Sequence, residues 1–283
     1  MTGGEDLIGE NHIKRGQLRG YIFEVIIRVL LKQNGWRLVS NVEYGRTRLT
    51  SNYEVEIKGR GSWHQIDTPC TFSRKVPFMY PLRLLAEVKY YKDEVQKDSI
   101  RAYIGVIKDI SENYFIDDTH TIKSQRRYTD VGVFFSAKGF NSEAVNLAFA
   151  HGIKTISYRT NPLMRAITDL IYKIEQGLSC EPTIGRGRRL AFMSDLENLM
   201  SSFASNYEQF ISTYDITPVV AKQLDEMFAL LQGLQTSFFG TTASGVFLHF
   251  ISQDTFPTDL FSDTDEQRCR IYFTNDMIPV LKV

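Results

Sequence analysis

The sequence predicts an α/β protein, a mixed sheet flanked by helices over residues 1–165, followed by a smaller α+β unit over residues 166–283. Three observations predict it. The hydrophobic period switches repeatedly between that of a helix and that of a strand along the first segment. Residues 131–158 run strand, Ala-rich helix, strand in so compact an order that only a parallel right-handed crossover connects them. After Asn161-Pro162 the pattern becomes mainly helical and the charge changes sign. Residues 1–165 hold 25 Lys+Arg against 18 Asp+Glu, a net of +7, and residues 166–283 hold 8 against 15, a net of −7.

Each element has its own warrant. Over residues 14–34, Ile22, Val25, Ile26, Val29 and Leu30 recur at helical spacing, and Asn34-Gly35 supplies a stop. Gly20, Glu24, Arg28 and Lys32 form the opposing polar stripe. Residues 53–58 alternate as a half-buried strand that Gly59 and Gly61 break. Residues 64–67 are the next extended piece, ended by Thr68-Pro69. Residues 82–91 alternate most clearly, with Leu84, Ala86, Val88 and Tyr90 on one face and Leu85, Glu87, Lys89 and Tyr91 on the other. A helix is expected over 95–110 and a polar loop over 117–130. Val131 to Phe135 is nearly all apolar, as in a strand covered on both faces. The next helix, 141–151, carries Ala144, Leu147 and Ala148 on one face, and a strand follows at 153–158. The strands before this crossover are expected to be antiparallel. Helices are then expected over 163–177, 194–212 and 217–234, with Gly185-Arg186-Gly187-Arg188-Arg189 as a basic connecting loop. Strands over 245–251 and 268–274 close the chain.

With 283 residues, 43% hydrophobic and 23% charged, the chain can bury a sizeable core and is neither disordered nor fibrous. No apolar run reaches the ~18 residues of a membrane span, and the opening residues carry no secretory pattern. Cys70, Cys180 and Cys269 are far apart, with no CxxC pair and no zinc-like spacing. A cytosolic protein with free thiols is therefore expected. The zero overall charge conceals a basic front segment suited to a polyanion such as DNA, and an acidic back segment suited to a partner or to restraining the front.

The chemistry concentrates in Asp67 and Glu87-Val88-Lys89. Phosphodiester hydrolysis needs carboxylates to hold a divalent cation and a basic group to orient the attacking water. Glu and Lys one residue apart on a strand project from the same face, and an Asp from a neighbouring strand end supplies a second carboxylate. Mg²⁺ suits such a site, because it takes few protein oxygens and keeps positions for water and phosphate. Alternating charge alone is usually a solvated strand face, and Glu54-Val55-Glu56-Ile57-Lys58 shows the same pattern. Glu87 and Lys89 differ in sitting beside Leu84, Leu85 and Ala86, where charge is not buried without a purpose.

Four segments in order carry a resemblance: GYIFEVIIRVLLKQNGW at 20–36, HQID at 64–67, LLAEVKYY at 84–91 and VGVFFSAKGFNSEAVNLAFAHGIKTISY at 131–158. Together they resemble the Mrr-type (type IV) restriction endonuclease domain, a branch of the PD-(D/E)xK nuclease superfamily, over residues 15–165. The resemblance implies a restriction-endonuclease-like sheet and a DNA endonuclease of prokaryotic defence against foreign DNA. Carried onto this chain, it implies that Asp67, Glu87 and Val88 hold Mg²⁺, with Mn²⁺ as substitute. It further implies that Lys89 positions or activates the water and that Glu24 is an auxiliary acid. Outside the resemblance, Glu24 is expected to make a surface pair with Arg28 four residues on. Gln65 departs from the glycine that the family often carries two residues before the Asp.

DNA contacts are assigned to Arg60, to Arg74 and Lys75 in the insertion-like segment 68–81, to Gln125 and Arg126, and to Lys138 in the turn Ser136-Ala137-Lys138-Gly139-Phe140. His64 is a second base or a structural histidine, and His151 a helix cap. Tyr90, Tyr91 and Tyr103 stack on bases or pack in the core. The stripe Leu196, Leu199, Met200 and Phe203 is the core of a small domain or a dimer interface. Residues 166–283 thus bind a partner in a defence complex, dimerise the enzyme or restrain it. Two functions stand beside the endonuclease: a non-catalytic DNA-binding sensor subunit, and an RNase or junction resolvase on the same fold.

Overall fold

The computed structural model describes residues 17–39, 46–50, 54–73, 78–112, 114–116, 122–124, 128–178, 186–202, 207–234, 236–241 and 247–252. The first helix, α1 (Gln17–Gln33), buries Ile22, Phe23, Val25, Ile26, Ile27, Val29, Leu30 and Leu31. So wide an apolar surface cannot face water on one side, and α1 is accordingly covered by the sheet and by later helices. The chain continues through β1 (Trp36–Leu38), β2 (Thr47–Leu49), β3 (Val55–Lys58), β4 (Trp63–Gln65), β5 (Thr68–Phe72) and β6 (Leu82–Lys89) to α2 (Lys97–Ile110). A short hairpin, β7 (Tyr114–Ile116) with β8 (Ile122–Ser124), precedes β9 (Thr129–Ser136), α3 (Ser142–Ala150) and β10 (Lys154–Ser157). The remaining helices are α4 (Pro162–Leu178), α5 (Arg186–Ser202), α6 (Tyr207–Thr213) and α7 (Pro218–Gly233), and the hairpin β11 (Thr236–Thr241) with β12 (Phe247–Ser252) follows.

The main sheet is five-stranded in the order β1-β5-β6-β9-β10. β1, β5 and β6 are antiparallel neighbours, whereas β6, β9 and β10 run parallel. The protein is thus mixed α/β, with helices on both faces of a mixed sheet. The alternation along β6 decides which layer each residue joins. Leu84, Ala86, Val88 and Tyr90 enter a core shared with α1, α4, α5, α6 and α7. Leu85 faces the other way, against Ile57, Ile66 and Ile110. On β9, Val133 and Phe135 join the first core, and Phe134 packs with Val95, Ile100 and Phe140 under α2 and α3. A second sheet, β2-β3-β4, lies on the α2 side. Leu196, Leu199 and Met200 are buried inside the first core, packed with α1, and Phe203 lies outside the described residues.

Several expectations need correction. Thr68-Pro69 does not end an extended piece but begins β5. A proline is tolerated near a strand start, and the Pro69 carbonyl still accepts the Val39 N–H at 2.9 Å. The insertion-like segment is therefore a long β5–β6 hairpin. The loop expected over 117–130 contains β8 and the start of β9. Asp130 belongs to the sheet because Arg83, its register partner on β6, makes a bidentate pair to it at 2.6 and 3.0 Å. The single helix expected over 194–212 is two, α5 and α6. The run Arg186-Gly187-Arg188-Arg189 opens α5 rather than forming a loop, since arginine is a good helix former. β11 was not anticipated, and the strand expected over 268–274 lies outside the described residues, as do Cys180 and Cys269. Cys70 is a buried free thiol. Among the described residues, no helix is long and apolar enough to cross a membrane.

Candidate active site

Asp67 sits in the short connection between β4 and β5, next to the point where the β5–β6 ladder begins at Thr68↔Ala86. Its carboxylate oxygen Oδ2 accepts the Val88 N–H at 2.9 Å and the Lys89 ammonium at 2.8 Å. The same ammonium lies 2.6 Å from Glu87 Oε1. The three residues singled out from the sequence are thus joined, with Lys89 bridging the two carboxylates. The Val88 side chain is buried in the core, so only its main chain faces the site.

Glu24 arrives from α1. It pairs with Arg28 one turn on, and Arg28 also donates to the Asp67 main-chain oxygen at 3.0 Å. Glu24 does pair with Arg28, but the pair is half-buried beside Asp67 rather than lying on the surface. Within the polar stripe of α1, Glu24 and Arg28 are half-buried and Lys32 is exposed. Glu197, from α5, lies 3.6 Å from the Arg28 guanidinium and contacts the Lys32 ammonium.

Burial governs the electrostatics. It pushes the Glu87 carboxyl up to about 7, with the Asp67 charge adding to the effect and Lys89 opposing it. Glu24 is also pushed up to about 7, first by burial and then by Asp67, against the pull of Arg28. Burial works against the Lys89 ammonium, but the Asp67 and Glu87 charges outweigh it and raise its pKa. The lysine is a fixed cation at neutral pH.

Among the described residues, no three His, Cys, Asp or Glu side chains converge as a ready-made metal cage; the Lys89 ammonium occupies the point where Asp67 and Glu87 meet. The donor set nevertheless fits a hard cation. Asp67 Oδ1 and Glu87 Oε2 make no hydrogen bond among the described residues, which leaves one carboxylate oxygen from each acid for a metal. Arg28 Nε and Thr68 Oγ1 are buried with no hydrogen-bond partner among the described residues.

The other residues named from the sequence divide clearly. His64 is structural: its Nε2 is 2.7 Å from Asp109 Oδ2, and that carboxylate also accepts the Gly61 and Ser62 N–H groups, which ties β4 to α2. Tyr103 and Tyr90 do not stack on bases. The Tyr103 hydroxyl is buried against the Leu85 carbonyl, and Tyr90 donates to the Thr168 carbonyl at 2.7 Å, because both rings fall on core-facing positions. Tyr91 is 41% exposed. Arg60 is exposed on the β3–β4 turn. Lys138 lies 5.8 Å from the Tyr90 ring centroid. His151 is the C-cap of α3. Arg74, Lys75, Gln125 and Arg126 lie outside the described residues. Sequence reasoning missed the part played by Arg28, Lys32 and Glu197. The only signal was a glutamate set among the buried Leu196, Leu199 and Met200 of α5.

No family model matches the chain, and no curated protein matches it. A crystal structure of a protein of unknown function, AF1548, is similar at 14% identity over 75% of this chain and 96% of that one, with a TM-score of 0.36.

Proposed function

We propose that this chain is a metal-dependent DNA endonuclease with a restriction-endonuclease-like fold of the Mrr type. One observation carries the reading: a lysine on a mostly buried strand bridges two carboxylates at 2.8 and 2.6 Å, at the end of the β5–β6 ladder. Buried charge of this kind needs a functional return. Asp67, Glu87 and the main chain at Val88 are the residues to hold Mg²⁺. The bound cation would neutralise charge on the scissile phosphate and acidify a water.

The chain's own groups supply the rest. Lys89, held protonated, donates hydrogen bonds that orient the attacking water and stabilise negative charge gathering on the phosphate. Glu24 stands outside the Asp67–Lys89–Glu87 chain, and a pKa near 7 suits a carboxylate that accepts a proton at neutral pH. Arg28 fixes Glu24 and the Asp67 backbone together.

The test is incubation of the purified full chain with supercoiled plasmid, single-stranded DNA and RNA, in Mg²⁺ and in EDTA. Plasmid should be nicked or linearised in Mg²⁺ only. Glu87→Gln should lower the rate at least about 100-fold with DNA affinity little changed, because the lost interaction acts in the transition state. Cleavage that persists in EDTA, or undiminished cleavage by Glu87→Gln, overturns the reading. Preference for RNA makes the enzyme a ribonuclease on the same fold.

A further inference from the structure

A cavity of about 720 Å³ opens at the carboxyl ends of the parallel strands β6, β9 and β10. In sheets of this kind, ligands approach that end. Four cations line it, Lys92, Lys138, Arg159 and Arg165, against two carboxylates, Asp93 and Glu94. Arg159 is paired with Glu94. Lys92 and Arg165 meet no carboxylate among the described residues. The local charge is positive and partly uncompensated, which is the footprint of an anion.

The walls are held firmly. The Val95 N–H donates to the Gly139 carbonyl at 2.9 Å, and the Asn141 N–H donates to the Val95 carbonyl at 3.1 Å. Ser136 Oγ donates to the Gly139 carbonyl at 2.9 Å. Gly139 has φ of 82°, a value a side chain would oppose, so the turn carrying Lys138 is fixed by its glycine. A loop from β6 and a turn from β9 are thereby locked side by side, with the start of α4 opposite.

The cavity is also close to Lys89. Lys92 is three residues further along, a reach of at most about 10 Å for extended chain. Along one strand, that limit corresponds to no more than about three nucleotide steps of axial rise. We infer that the cavity is a phosphate-binding groove that holds the backbone of the DNA strand within about three nucleotides of the bond cut, with Lys92 and Arg165 as its principal contacts. The inference rests on the nuclease reading for the position of the cut, but not for the binding itself. Lys92 and Arg165 are exposed, one on the β6–α2 connection and the other on α4, which favours a strand running past them over a small ligand enclosed between them.

The experiment measures binding of a fluorescein-labelled 20-base-pair DNA duplex by anisotropy across a salt series, using the full chain carrying Glu87→Gln. Adding Lys92→Ala and Arg165→Ala together should weaken Kd at least tenfold. It should also reduce the salt slope by about 2, since each phosphate contact contributes about 0.9. Lys92→Arg with Arg165→Lys should retain most of the affinity, which separates charge from folding. Unchanged Kd and slope in the double alanine variant, or no binding by the parent, overturns the groove. If deoxyadenosine 5′-monophosphate displaces the duplex at micromolar concentration in a Lys92- and Arg165-dependent way, the occupant is a free nucleotide and the strand assignment is wrong. Binding that depends on Lys92 and Arg165 in a protein that never cleaves DNA leaves the groove standing and removes the nuclease reading alone.

Discussion

Burial first, and the Asp67 charge after it, make two carboxyl groups at this site resist ionisation. Glu24 and Glu87 are both pushed from 4.5 to about 7. An acid whose pKa is raised on folding stabilises the fold fully below its unfolded value and loses that contribution as pH rises through its folded value. In EDTA, the melting temperature should therefore fall between about pH 4.5 and 7 on account of these two groups, with each worth on the order of 1–3 kcal/mol. Glu24→Gln and Glu87→Gln should each raise stability at pH 8 and flatten the profile. Mg²⁺ at pH 8 should raise the melting temperature of the parent but not of Asp67→Asn. A melting temperature that rises from pH 5 to pH 8 in EDTA, unaffected by either substitution, contradicts this account. At this scale the sequence exposed Asp67, Glu87 and Lys89, because strand alternation puts Glu87 and Lys89 on one face. It concealed Arg28 and Glu197, because a helical i,i+4 pair looks the same whether water or another helix lies beyond it.

Elements were legible where their hydrophobic period was uninterrupted. β6, α2, α3 and α4 fall within a few residues of their predicted spans. Errors arose where tertiary pairing overrode local signals: Thr68-Pro69 behaves as a strand because β6 pairs with it and the Val39 N–H bonds the Pro69 carbonyl, and Asp130 because Arg83 waits across the ladder. No local pattern reveals a partner that distant in sequence. Helix packing was equally invisible. At Gly177, α4 approaches α7 so closely that an added Cβ would meet Val220 Cγ2 at 2.3 Å. Gly177→Ala should therefore destabilise the protein by about 1–3 kcal/mol through overpacking, despite alanine's better helix propensity. Val220→Ala in the same chain should recover part of that loss. Chemical denaturation of the four proteins in the double-mutant cycle measures the coupling, and additive losses would show that the two helices do not meet there.

For the molecule as a whole, the opposite charges of residues 1–165 and 166–283 suggested a division of labour, with DNA on the first segment. The core runs across that boundary. Ile22, Phe23 and Ile26 of α1 share it with Ile167, Ile171, Leu196, Met200, Leu224 and Met227. Removing residues 166–283 would strip α1 of its cover and expose a large apolar face. Residues 1–165 expressed alone should therefore aggregate or lack a cooperative unfolding transition, and the full chain should show one. A soluble, cooperatively folded fragment would show that α1 needs only the sheet. Charge was readable in the sequence, but the shared core was not, because a helical stripe such as Leu196, Leu199 and Met200 gives no sign of what it packs against.

The hydrogen bond from Val88 to Asp67 has a spectroscopic consequence. Where the ladder between β5 and β6 stops, a side-chain carboxylate takes up a strand amide. That amide proton is consequently a resident reporter. Its chemical shift and its exchange with deuterium depend on one oxygen atom, and that oxygen belongs to a proposed metal ligand. Any ion, proton or substituent that draws Asp67 away leaves the Val88 amide without its acceptor while the amides deeper in β6 keep theirs. A single labelled resonance at Val88 can thus register the occupancy of the site, with no substrate present and no turnover required.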